Sequence, residues 1–196
     1  MTKLQKIFLI VLVNYSLSCS HYILNEFGYP RPPKNQRFLS IKNITYLKDN
    51  ELIDTTAIYY LSNSNYYRNN NEYKNSDNYI RFYSDGHYKL QVVKEYPKID
   101  DINNIGKGNI GFYKLKDSVV ELHLYSGISA GSDQLEFGII DENKNLIILN
   151  ENPRTDFGIG YTKNGIKRKI KGTSFFNPKV YVKTKLLGMT YDRPNW

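Results

Sequence analysis

The strongest constraint in this chain is a succession of short segments in which apolar and polar residues alternate, each bounded by turn-forming residues. Successive side chains of a strand point to opposite faces of a sheet, so period-two alternation marks a strand with one buried face. Tyr79-Ile80-Arg81-Phe82-Tyr83 and His87-Tyr88-Lys89-Leu90-Gln91-Val92-Val93 flank Ser84-Asp85-Gly86, and Asp-Gly is the strongest short hairpin signal. Asn109 to Leu115 and Val119 to Tyr125 flank Lys116-Asp117-Ser118, a second hairpin. Leu135 to Ile140 and Leu146 to Leu149 flank Asp141 to Asn145, a third. Thr56 to Leu61 and Val180 to Lys183 read as an early and a late strand, and no later segment has a sustained helical period. The expected fold is all-β: an antiparallel meander of eight short strands that removes its edges by closing into a barrel.

The N-terminus obeys a different pattern. Lys3 and Lys6 precede the apolar run Ile7-Phe8-Leu9-Ile10-Val11-Leu12-Val13, which Tyr15-Ser16-Leu17-Ser18 connects to Cys19. The run is far shorter than the ~20 residues needed to span a bilayer as a helix. A charged start, a short apolar core and small residues before a cleavage point make residues 1–18 a signal peptide. Residues 19–36 contain Tyr29-Pro30-Arg31-Pro32-Pro33-Lys34-Asn35, whose prolines favour an extended spacer; an N-terminal loop packed on the domain fits them as well. Residues 37–196 form the remaining unit, and a chain of 196 residues is long enough for one domain with a substantial core.

Cys19 is the only cysteine, which excludes a disulfide framework and any multi-thiolate metal site. Ser18-Cys19-Ser20 resembles the looser lipoboxes of Bacteroidetes lipoproteins, although Leu17 lies one place late and Ser16 occupies the usual leucine position. That resemblance implies a Cys19 carrying a thioether-linked diacylglycerol and a third acyl chain (palmitate) on its α-amine. At ~0.8 kcal/mol per buried CH₂, three chains anchor firmly. A plain secretory signal with a coincidental cysteine, or a buried cytosolic cysteine, are the alternatives. Tyr79 to Gly86, Gly111-Phe112-Tyr113-Lys114-Leu115, and Phe137-Gly138-Ile139-Ile140 with Leu146-Ile147-Ile148 resemble the lipocalin-like domains common among such lipoproteins, over roughly residues 52–150. The chain lacks the Gly-x-Trp of typical lipocalins, and its one Trp is Trp196.

Residues that carry chemistry are sparse. Gly106-Lys107-Gly108-Asn109-Ile110-Gly111 matches a dinucleotide fingerprint in letters, but a strand follows it where that motif requires a helix. Asp141-Glu142-Asn143-Lys144-Asn145 lacks the ligand spacing of a calcium loop and reads as a turn. Glu121 and His123 share one strand face, opposite Leu122 and Leu124, and could begin an acid–base or metal site, or form a polar structural pair. No nucleophile elbow or metalloprotease helix accompanies them. The basic run Lys163, Lys167, Arg168, Lys169 and Lys171, near Tyr161, Phe175 and Phe176, suits anionic headgroups or glycans, or is a solvated loop. Asn63, Asn65, Asn69, Asn70, Asn71, Asn75 and Asn78 mark a long surface loop.

No catalytic residue, metal or cofactor is expected. The leading expectation is a non-enzymatic envelope lipoprotein that binds a small apolar ligand, glycan or lipid in or on a barrel, with Glu121, His123, Lys167, Arg168, Lys169 and Lys171 as candidate contacts. The alternatives are a scaffold for an envelope protein complex and, more weakly, a hydrolase using Glu121 and His123. Membrane lipid, through Cys19, is the one partner common to the first two, and no nucleic acid is expected. Ser20-His21-Tyr22 lacks the acidic export signal that the Bacteroidetes resemblance implies for surface lipoproteins, which points to the outer membrane, facing the periplasm.

Overall fold

The computed structural model describes residues 23–31, 52–61, 77–116, 118–126, 132–149 and 178–190. A two-stranded ribbon, β1 (Ile23–Leu24) and β2 (Pro30–Arg31), precedes eight strands: β3 (Ala57–Leu61), β4 (Asp77–Phe82), β5 (His87–Val93), β6 (Asn109–Lys116), β7 (Val119–Ser126), β8 (Ser132–Ile140), β9 (Leu146–Leu149) and β10 (Lys179–Lys185). Each of the eight pairs antiparallel with its sequence neighbour, and β10 pairs with both β9 and β3, so the meander closes into a barrel. The expected all-β, lipocalin-like architecture is therefore the architecture of the chain.

The turns form as their residues require. Gly86 has φ +88° and donates its N–H to the Tyr83 carbonyl, while the Asp85 carboxylate accepts the His87 N–H at 3.1 Å. Asp141 holds the third turn by accepting the Asn145 N–H at 2.7 Å, with Lys144 at positive φ. Among the described residues there is one helix, α1 (Ile99–Asn103), in the β5–β6 connection. A single turn is too short to show a period.

The two ends of the barrel differ. Tight turns join β4 to β5, β6 to β7 and β8 to β9 at one end, called here the hairpin end. The connections β3–β4, β5–β6, β7–β8 and β9–β10 leave from the other, the loop end. Strand alternation sends Tyr59, Phe82, Tyr88, Tyr113, Leu122, Ile148 and Tyr181 into the interior, where each is buried in one continuous cluster. Phe82 is at its centre, with ring centroids 5.2 Å from Tyr59 and 4.7 Å from Tyr113, both edge-on. Ile53, just before β3, packs into the same cluster. Gly111 lies directly opposite Tyr88, and a Cβ there would collide with the Tyr88 ring, so glycine lets the ring lie flat across the strand.

A second apolar cluster covers the outside of β3 to β5. Ile58 and Tyr79 meet Ile102 of α1 and Met189 of the segment after β10. Asn103 fastens that segment, donating to the Gly188 carbonyl at 2.9 Å and accepting the Thr190 N–H at 3.0 Å. The N-terminal ribbon is docked beside α1. Asn25 and Arg31 both donate to the Gly106 carbonyl, and Arg31 also donates to that of Gly108. Residues 23–31, which include Pro30 of the proline-rich stretch, are thus held against the loop before β6.

Because Phe82 contacts three aromatic neighbours at full burial, Phe82→Ala should cost about 3–5 kcal/mol of unfolding free energy. Urea denaturation followed by tyrosine fluorescence would check this, and a loss below about 1 kcal/mol would contradict a filled interior.

Candidate functional site

Glu121 and His123 project from the outer face of β7, since Val120, Leu122 and Leu124 on the same strand belong to the interior cluster. The His123 Nε2–H donates to Glu121 Oε1 at 2.5 Å, and Lys114 Nζ stands 3.6 Å from the same oxygen. The hydrogen bond from His123 holds the Glu121 carboxyl below its ordinary range; partial burial opposes this and the Lys114 ammonium assists it. A second pair lies nearby, with His87 Nδ1 3.0 Å from Asp85 Oδ2. The His87 ring is 4.3 Å from that of Phe112, which sits opposite His123 in the β6–β7 register. Among the described residues no three His, Cys, Asp or Glu side chains converge as a metal site would require. The pair is a hydrogen-bonded couple on a partly exposed sheet face.

At the loop end the interior changes character. Alternation from Ile140 places Glu136 and Gln134 on the inner face of β8, and alternation from Tyr181 places Lys179 on that of β10. Lys179 Nζ donates to Glu136 Oε1 at 3.0 Å, reaching across the intervening β9. Their side chains are 22% and 31% exposed, whereas Tyr88 and Tyr181 behind them are buried. Val92, inward-facing at the end of β5, is 60% exposed. The loop end therefore offers a solvent-reachable rim with one paired cation and anion above an aromatic floor. Neither Glu136 nor Lys179 stands out in the sequence, although parity counted from Ile140 identifies the face of Glu136.

A third cluster lies outside the barrel, beneath α1. Arg81 and Lys89 are directly opposite one another on β4 and β5, and both are buried. Lys89 Nζ donates to the carbonyls of Asp101, Ile102 and Asn104 at 2.8, 3.0 and 2.9 Å. Arg81 donates to the Ile102 carbonyl at 3.0 Å and to the Thr190 carbonyl. Carbonyls at a helix C-terminus have no partner within the helix, and here Arg81 and Lys89 supply the donors. Burial, then the Arg81 guanidinium, pull the Lys89 amine down to about 7. In the sequence both residues occupy polar positions of half-buried strands, which is ordinarily a description of solvated side chains.

The remaining candidates, Cys19 with residues 1–18 before it and the basic run Lys163, Lys167, Arg168, Lys169 and Lys171, lie outside the described residues, as do residues 62–76 of the Asn-rich stretch. Comparison with protein-family models, with curated proteins and with solved structures finds no match to this chain.

The Glu121–His123 bond is partly exposed, so its contribution to stability should stay below about 1 kcal/mol. A carboxyl held low contributes above its unfolded-state value and loses that contribution as pH falls through its folded-state value. Glu121→Gln should therefore lower the melting temperature slightly at pH 7, and wild type and variant should converge once acid has protonated the carboxyl in the folded protein. A gap that persisted in acid would mean that the carboxylate charge is not what stabilises.

Proposed function

We propose that this chain is a membrane-anchored lipoprotein of the bacterial envelope that binds a ligand at the loop end of a filled barrel and does not transform it. The observation that carries this reading is the solvent-reachable rim of the loop end above a filled interior. Inward side chains are buried through the middle, while Glu136, Lys179, Gln134 and Val92 reach solvent at the loop end; at the hairpin end the inward positions Lys183 and Lys185 also reach solvent, where both face the Asp54 carboxylate. A concave apolar floor with a few polar groups at its rim is the usual composition of a small-molecule site. Ligands of this kind are small apolar molecules, lipids or glycans with polar substituents. Glu121 and His123 occupy a different surface and act structurally in this reading.

The signal-like segment and Cys19 supply the anchor, and the missing acidic export signal favours the periplasmic face of the outer membrane. Cys19→Ala should release the protein from the membrane fraction or leave it unprocessed there. Mass spectrometry of the wild-type mature N-terminus should find acylated Cys19, and an unmodified N-terminus would overturn the anchor.

The filled interior also favours a second reading, a scaffold that engages an envelope protein through its outer surface and holds no small molecule. Native mass spectrometry of protein extracted from its own cells separates the two. A small molecule should travel with the wild type and be depleted by Lys179→Glu, which places two like charges at the rim. A stoichiometric protein partner with no small molecule would establish the scaffold instead. Catalysis through Glu121 and His123 would require turnover that disappears in a folded His123→Gln variant.

A further inference from the structure

We propose that Lys89 is an acid-operated latch, in which a proton taken up by its amine loosens α1 and the N-terminal ribbon from the barrel wall. The geometry begins with two basic side chains opposed across an antiparallel pair, both enclosed beneath one turn of helix. Cross-strand like charges repel, and enclosure removes the water that would screen them. Arg81 keeps its charge at any accessible pH, so Lys89 is the member that can change. Both cations draw on one oxygen, the Ile102 carbonyl, at 3.0 Å each. What they share is the segment that covers them.

The charged groups around the amine do not neutralise it. Arg81 faces it from β4, Lys107 from the loop after α1 and Arg31 from the ribbon, and each adds positive potential. Asp101 of α1 opposes them, but its carboxylate is engaged by Lys107 at 2.6 Å. The ring of Tyr79 lies 5.5 Å from Nζ and supplies a weak attraction. An uncharged amine retains two N–H donors, so proton loss gives up one of three carbonyl bonds while removing the repulsion and the burial of charge. The covered state thus favours the neutral amine and the uncovered state the ammonium.

The size of the effect follows from linkage. With the amine near 7 when covered and at the ordinary 10.5 when hydrated, lowering pH from 8 to 6 should raise the opening equilibrium about tenfold. Movement of the cover would carry the ribbon with it, because Asn25 and Arg31 hold the Gly106 and Gly108 carbonyls just beyond α1.

Amide hydrogen exchange of the full chain at pH 6 and pH 8, corrected for intrinsic exchange rates, tests the latch. Ile102 and Asn104, whose N–H groups bond to Lys98 and Asp100 carbonyls, should lose about tenfold in protection at pH 6 relative to β7 and β8. Lys89→Met should abolish the pH response of these amides. Equal protection at both pH values, or an unchanged response in Lys89→Met, would overturn the proposal. Should that variant fail to fold, the ¹³Cε shift of Lys89 in the wild type decides. A midpoint near neutrality supports the latch, and one above about 9 refutes it.

Discussion

A ring of eight strands fixes its own bore, and the bore is only wide enough for side chains to fill or for one small ligand. Here the choice is visible residue by residue. Phe82, Tyr59, Tyr113 and Tyr88 occupy the middle, and Ile53 adds to them from the segment before β3. Large rings on both sides leave little room, and glycine at position 111 makes space for one of them. With the middle filled, what remains open to solvent is the two ends of the barrel and the outer wall. The placement of Glu136 and Lys179, inward-facing but solvent-reachable, follows from the same limit.

The outer wall is built by a different rule. Buried hydrogen-bond donors need acceptors wherever they lie, and the carbonyls at the end of a short helix are acceptors without internal partners. Arg81 and Lys89 accordingly define where α1 rests, and Asn103 extends the arrangement to the segment after β10. Ile102, Tyr79 and Met189 then seal the contact with apolar surface. Cover and barrel are fastened by hydrogen bonds at the centre and by burial around them.

Local signals carried most of the fold. Alternation and the Asp85-Gly86 turn are properties of adjacent residues, so strands β4 to β9 and the barrel class can be read without coordinates. What the sequence conceals depends on residues far apart. Arg81 and Lys89 look like solvated positions until α1 and Thr190, more than a hundred positions from Arg81, come to lie over them. Lys179 reaches Glu136 across a strand that no local pattern places between them. Glu121 and His123 were legible as a pair on one face, because two residues apart on a strand is a local relation. Only the register and burial of their neighbours show that face to be the outer one.

Ring closure also has a history in time. The hairpins joining β4 to β9 bring together neighbours in sequence, and such pairings form within about 1–10 μs. The last contact is of another kind, since β10 joins Lys183 to Tyr59 across nearly the whole strand-bearing chain. Its entropy must be met before the pairing returns any energy, which makes it the slow step. Until then β3 and β9 each present an unpaired edge, and β10 carries Val180 and Val182, which remain exposed even in the finished barrel. An open sheet with free edges and apolar strands is a template for association with other chains. The chain cannot leave that state until residues 179–185 have emerged from the ribosome, so its most aggregation-prone form lasts as long as its own synthesis.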